Sequence, residues 1–497
     1  MACLVCLALG SAMNGEDTRA VEGTRSASLP PEHLQQYSDQ AVEWMQEYLR
    51  IDTTNPPGNE MKAVEFYKKI LDAEGIENRV FEYAPGRGDL WARIPASGDE
   101  NQKPHLWQNR PEVGHPDVGK THLDDHRAIV LLNHMDVVTS DASHWRVPPF
   151  SGEIRDGYIW GRGAQDMKDE GLAQLMVMVM LKREKIALDR DVIFLAVSDE
   201  EADGTGTDWF IKNERDLLEN AAFLINEGGE NLLENGKVRY VGVDVGEKTT
   251  YWLRVTAHGR PGHASRPNID SAPDRLVRAL NKIIAYQTPL RVLPVVDEFL
   301  KDMAPYEPPD RAVYYRDVKA AIRDKKFQTE VEEDESLNFL LRDTISLTMM
   351  GGSEQTNVIP AEAWANLDVR ILPGGNPKAL AEALRRLVND PNVTIEPINA
   401  EFRVANYSGT DNELYAAIKG VSAKYFPGTP VVPHITSGYT ENQRYRPLGI
   451  VAYGFNPYTA TDEEGNTEHG NDERIRVEEV RRGPRILFDV VAEVAGR

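Results

Sequence analysis

The sequence predicts an α/β protein: a mostly parallel mixed sheet covered by helices, with a smaller α+β domain inserted into it. Three observations predict it. They are apolar runs of strand length, helical stretches between them, and a change of periodicity near Lys248. The runs at 128–133 (AIVLLN), 192–198 (VIFLAVS), 222–226 (AFLIN) and 450–454 (IVAYG) are apolar on both faces. Strands buried between two layers of helix require that. Apolar positions recur at helical spacing over 34–49 and 63–71, and 171–185 reads as a helix between the first two runs. From Lys248 the pattern alternates. Residues 251–259 (YWLRVTAHG) and 361–372 (AEAWANLDVRIL) read as strands with one solvated face, and 275–287 as an amphipathic helix. The turn at 372–376 (LPGGN) marks the return to the main domain. The expected organisation is a leader at 1–28, the main domain over 29–247 and 373–497, and the inserted domain over 248–372. Two stretches read as insertions. Residues 101–127, with four histidines and no periodicity, read as an exposed loop. Residues 289–338 mix helix with the charge run EVEEDE, a solvated face.

Composition narrows the function. The 497 residues carry 56 Lys+Arg against 79 Asp+Glu, a net charge of −23 that repels a phosphate backbone and argues against nucleic acid. No apolar run approaches the roughly 20 residues of a membrane span. Both cysteines, Cys3 and Cys6, lie in the leader, so the body holds neither disulfides nor a Cys-ligated zinc. Residues 2–12 are apolar and end in Gly10, Ser11 and Ala12, which reads as a signal peptide without its basic start. Export, periplasmic or secreted, is the expectation, with a cytoplasmic location as the alternative.

Each buried run ends in groups that solubility does not explain. The first is followed by His134 and Asp136, the second by Glu200 and Glu201, and the third by Glu227. GRGAQD places Asp166 ahead of the helix that starts near Lys168, and His469 follows the fourth run in TEHGND. Ligands of open α/β sheets collect at the carboxyl ends of strands, which puts these groups on one rim. Five carboxylates converging there cannot all remain ionised, and two divalent cations resolve the conflict. Imidazole and carboxylate donors suit zinc, with manganese or cobalt as alternatives.

The ordered motifs HMDVV, GRGAQDMKD, SDEEADG, NEGG, GRPGHAS, TNVIP, DVRILPG and EHGNDE resemble the aminoacylase / carboxypeptidase family of co-catalytic zinc hydrolases. This is the group that contains acetylornithine deacetylase, succinyl-diaminopimelate desuccinylase and glutamate carboxypeptidase. The resemblance covers roughly residues 34–494. It implies a zinc-peptidase-type catalytic domain and a dimerisation (lid) domain. One ion would take His134, Asp166 and Glu227; the other would take His469, Asp166 and Glu201, with Asp166 bridging. It further implies Asp136 as the carboxylate behind His134, Glu200 as general base, and a cis peptide after Asp166. His263 would serve as an oxyanion donor reaching a partner subunit's site, so a homodimer through 248–372 is expected. Arg370 and Asn357 would bind substrate, the arginine fork matching a carboxylate; an Arg370–Asp368 surface pair is the plainer alternative. The implied activity is hydrolysis of an amide to release an amino acid, by carboxypeptidase or dipeptidase action, or alternatively by deacylation of N-acyl amino acids. A catalytically silent, metal-stabilised binding protein is the remote alternative. One segment departs from the family pattern: SGYTENQRYRPLG, with Glu441 or Asn442 where many members carry an aspartate.

Overall fold

A computed structural model describes residues 29–97, 127–218, 220–399, 404–436 and 438–497. The leader at 1–28 and the insertion at 101–126 lie outside the described residues. An eight-stranded mixed sheet carries the main domain. Its spatial order is Glu77–Ala84, Arg87–Ile94, Val192–Val197, Ala128–His134, Ala221–Asn226, Val451–Gly454, Val241–Glu247 and Val431–Thr436. All four predicted apolar runs are central strands, and the three from Val192–Val197 through Ala221–Asn226 run parallel, as does Val451–Gly454. Alternate residues feed two cores. Ile129, Leu131, Phe194 and Ala196 pack on one face, under helices Pro31–Leu49, Lys168–Arg183 and Val477–Ala495. Val130, Leu132, Ile193 and Leu195 pack on the other, against Phe210 of helix Thr205–Asn213. Burial on both faces is the reason these strands read as unbroken apolar runs. Glu77–Ala84 and Arg87–Ile94 went unpredicted because an antiparallel hairpin at the sheet edge keeps charged residues on its open face.

The inserted domain has its own sheet, in which Glu362–Ile371 pairs antiparallel with Leu253–His258 and Thr344–Gly351. Helices Ala272–Ile284 and Pro377–Val388 close one face over a separate core. The boundaries expected from sequence need two corrections. The chain does not leave this domain at Leu372, since Pro377–Val388 and strand Val393–Pro397 belong to its core and sheet. Nor is 248–372 one unit. Helices between Pro294 and Leu341 bury Val296, Leu300, Met303, Phe327, Leu337 and Leu340 in the core of the main domain, beyond edge strand Val431–Thr436. Amphipathic helices carry no signal of which core they will join. The EVEEDE run is also more than a solvated face, because Glu330 and Asp334 hold Arg311 at 2.7 and 3.1 Å. Among the described residues no helix is long and apolar enough to cross a membrane.

Candidate metal centre

The rim at the strand ends gathers the predicted ligands. His134 Nε2 lies 3.0 Å from Asp166 Oδ1 and 3.5 Å from Glu227 Oε2. His469 Nε2 lies 2.7 Å from Asp166 Oδ2 and 3.2 Å from Glu201 Oε2. The two sets, His134–Asp166–Glu227 and Asp166–Glu201–His469, each bring their ligand atoms within 4.8 Å of one another and share Asp166. The His134 set is the buried one, while the His469 side chain is 53% exposed.

Local backbone explains the convergence. After Glu227, Gly228 and Gly229 both adopt positive φ, and a Cβ on either would meet Asp244 Oδ2 or the Gly242 carbonyl at 2.7 Å. Only glycine turns the strand end so tightly there. The Asp166–Met167 peptide is cis, as expected. His469 sits in the left-handed region at φ 54°, a conformation that a non-glycine residue holds only where its surroundings enforce it.

Two buried carboxylates hold the ligand loops by their backbones. Asp136 accepts N–H bonds from Glu200 and Glu201, both at 3.1 Å. Glu473, salt-bridged to Arg162, accepts from Gly163, Gln165 and Asp166 at 2.9, 2.8 and 3.3 Å. The part expected of Asp136 thus changes. The His134 Nδ1–H donates to the Asp136 backbone carbonyl at 3.0 Å, while the carboxylate stands 3.6 Å away and is spent on the Glu200–Glu201 loop. Either way Nε2 is left facing the ligand cluster. Behind Asp136 runs a buried relay. Asn55 Nδ2 donates to Asp136 and to Asp199, and Arg87 joins Asp199 to Glu60 at 2.7 Å each. Arg87 packs where a Cβ on Gly58 would stand, 2.4 Å away.

Electrostatics show a cluster short of positive charge. Burial lifts the Glu227 carboxyl to about 8, with His134 only partly opposing it. Burial and the neighbouring Glu227 push Glu200 well above the carboxylate range. Burial alone would lower the His134 imidazole, but Glu227, Asp136 and Asp166 together hold it well above its usual value. Bonds to Asp166 and Glu201 raise His469 to about 10. Burial opposes ionisation of Asp166, yet the two imidazoles hold its carboxyl below the usual range. The fully buried Glu441, raised by burial, joins Glu200 and Glu227 in a third group within 4.8 Å. Its Oε2 accepts from Asn226 at 2.9 Å, and among the described residues its Oε1 and the Oε1 of Glu227 have no hydrogen-bond partner. Orphaned buried carboxylate oxygens beside two imidazoles and no thiol are the donor set of divalent metal ions.

The cleft above the rim encloses about 570 Å³ and takes Thr250, Trp252, Arg370 and Asn399 of the lid into its lining. Arg370 also pairs with Asp368 at 2.8 and 3.1 Å, so the predicted cleft position and the plainer surface pair coexist. His263 and Asn357 are not in that lining. They stand together on the exposed lid hairpin, where Asn357 accepts the Ala264 N–H at 3.1 Å and Ser265 bonds His263 Nδ1 at 2.7 Å. Sequence reasoning missed Glu473, Asn55 and Arg87; the final glutamate of EHGNDE was the one available signal for them.

A profile of peptidase family M20/M25/M40 matches residues 130–493. The chain belongs to that family. Aminoacylase-1A of Rattus norvegicus is 27% identical over 461 residues, covering 92% of this chain and 95% of that one. Among solved structures, an M20 metallo-carboxypeptidase of Sulfolobus solfataricus aligns at TM-score 0.63 with 18% identity over 91% of this chain and 98% of its own. Human carnosine dipeptidase 1 aligns at 0.62 with 15% identity over 93% and 97%. The M20 chain is therefore a hydrolytic enzyme, a metal-dependent amidohydrolase, and its rim carries a candidate metal-binding group.

Proposed function

We propose that this M20 enzyme is a dinuclear exo-amidohydrolase releasing an amino acid with a free carboxylate, from a peptide or from an N-acyl amino acid. The observation that carries the reading is Asp166, whose two oxygens each face one of the two histidines at 3.0 and 2.7 Å. Asp166 would serve there as a ligand common to two ions. Zinc suits the donor set best, and manganese and cobalt accept it. When bound, such ions supply Lewis acidity at the amide carbonyl and an activated water. The chain's own residues do the rest. Glu200 is fixed through its N–H to Asp136 and stands one residue before the ligand Glu201. It lines the cleft beside Glu227, which suits it to take a proton and deliver it to the leaving amine. Arg370 on the lid wall offers a fork to the carboxylate of the leaving amino acid.

His263 and Asn357 support a further part of the reading. Their place on the lid, outside the cleft lining, suits donation to the cleft of a second copy in a lid-to-lid homodimer. Exposed Met349 and Met350 on strand Thr344–Gly351, with Val277 and Ile284 on helix Ala272–Ile284, give that face apolar area to cover. The apolar leader at 2–12 is the sole support for export.

Glu200→Gln tests the enzyme reading. Metal content measured by mass spectrometry should be kept while hydrolysis of dipeptides and N-acyl amino acids falls at least about 10³-fold. Full turnover in that variant would remove Glu200 from the reaction.

A further inference from the structure

The two histidine ligands are held in different ways. His134 ends a fully buried strand, and its Nδ1–H donates to the Asp136 carbonyl at 3.0 Å. His469 lies on the loop 467–473, ahead of strand Arg474–Arg476, and among the described residues its Nδ1 makes no hydrogen bond. Metal-binding imidazoles almost always fix their ring through that second nitrogen. Without it, the direction of His469 Nε2 rests on the main chain that carries it.

That main chain needs support. His469 and Asp472 both stand in the left-handed region, at φ 54° and 62°, which a residue with a side chain keeps only where its surroundings enforce it. Three arginines enforce it. Arg162 Nη2 donates to the Gly470 carbonyl at 2.6 Å, and Arg474 Nη1 to the Asp472 carbonyl at 3.0 Å. Arg146 takes the Asp472 carboxylate across 326 residues of sequence, its backbone N–H donating to Oδ1 at 2.7 Å and its Nε to Oδ2 at 2.9 Å. Arg162 also pairs with Glu473, and Arg474 with Glu463, whereas among the described residues Asp472 is the sole ionic partner of Arg146. The Arg146 guanidinium rests 5.6 Å from the centre of the Trp160 ring, which limits its swing. The segment 138–150 that carries Arg146 also reaches the other ligand of the same set. At its start the Val138 N–H donates to Glu201 Oε1 at 3.2 Å, leaving Oε2 towards His469. Among the described residues this segment makes no hydrogen bond to His134 or Glu227.

We propose that Arg146 is a positioning residue for one of the two ions. By holding Asp472 it fixes the loop that aims His469, and so sets how tightly the ion of the His469–Asp166–Glu201 set is kept; the ion of the His134 set does not depend on it. This rests on the dinuclear reading above and adds to it. The Arg146 side chain is 68% exposed, so the pair gains little Coulomb energy and acts through geometry.

The test is calorimetric titration of zinc into the full chain after its metal has been stripped. The wild type should take two ions, and His469→Ala should lose one binding step, which identifies that step. Arg146→Ala should raise the dissociation constant of the same step about tenfold, as loss of such support typically does, and leave the other step unmoved. Because Arg146 acts through Asp472, adding Arg146→Ala to Asp472→Asn should weaken the step no further than Asp472→Asn alone. Equal weakening of both steps, no weakening of either, or additive losses in the double variant overturns the positioning role and leaves the metal centre standing. A wild-type chain that takes fewer than two zinc ions overturns the dinuclear reading and the part of Arg146 with it.

Discussion

The catalytic wall of the cleft and its lid wall differ in what holds their polar groups. On the catalytic wall, Asp136 and Glu473 are wholly buried, and between them they accept five backbone N–H bonds from the loops that present Asp166, Glu200 and Glu201. On the lid wall, Arg370 is 29% exposed and is held by Asp368 two residues along its own strand. A carboxylate that anchors main chain cannot be lost without moving the ligands it presents. An arginine resting on a neighbouring side chain can be exchanged for substrate. The first wall is held through main chain and the second through a side-chain pair, an arrangement that under the proposed function suits a fixed cation site and an adjustable lid.

That contrast orders the expected effects. The largest belongs to Asp166→Ala, which removes a ligand from both sets. Metal content should fall for both ions and hydrolysis should drop by at least about 10⁴-fold; retention of one tightly held ion at full occupancy would show that the sets do not share Asp166. Next comes Glu473→Gln, which leaves Arg162 without its charge partner and the GRGAQD loop with one acceptor oxygen in place of two. Loss of such support typically costs about 10–100-fold in metal affinity or activity, read here by titration of metal into the apo-protein alongside kcat. Arg370→Lys should be milder and of a different kind. The fork is lost and the charge kept, so KM should rise about tenfold while kcat changes little. A larger kcat loss in Arg370→Lys than in Glu473→Gln would break the contrast between the walls.

The smallest expected effect concerns the hinge between them. Lys248 is fully buried, with Nζ 2.7 Å from the Arg342 carbonyl and 4.5 Å from the centre of the Phe339 ring. It thereby ties the strand entering the lid to the chain that re-enters it after the insertion. Burial lowers its pKa to about 7, far below the value near 10.4 expected of an unfolded lysine. Between those values the unfolded state binds more protons than the folded one, so stability contributed by this group rises with pH; below about 7 its cost is constant. The melting temperature of the wild type relative to Lys248→Met should therefore climb from pH 7 to 10 and stay level from 5 to 7. A flat difference throughout would mean that the hinge lysine stays charged.

Legibility followed sequence distance. His134, Asp166, Glu201, Glu227 and His469 could be read because each lies just past a two-faced buried strand or in a glycine-marked turn, and strand ends in such sheets share a rim. Glu473 holding Gly163 at 310 residues' separation, and Arg87 holding Asp199 at 112, leave no periodic trace, since a buried ion pair is specified by two distant chains meeting. His263 and Asn357 were legible as motif residues, and the family resemblance implied that His263 serves a site other than its own cleft, but the place of Asn357 beside it on the exposed hairpin was not legible.

By itself the sequence determined the α/β class, the four central strands and the candidate ligand types in their order, because apolar periodicity and donor chemistry are local properties. Tertiary structure decided which core the helices from Pro294 to Leu341 join, where the lid ends, and that Asp136 serves the Glu200–Glu201 loop more closely than His134. An amphipathic helix states that it will bury one face, and a carboxylate that it will find a donor. Only the packed chain settles against which surface, and which donor arrives first.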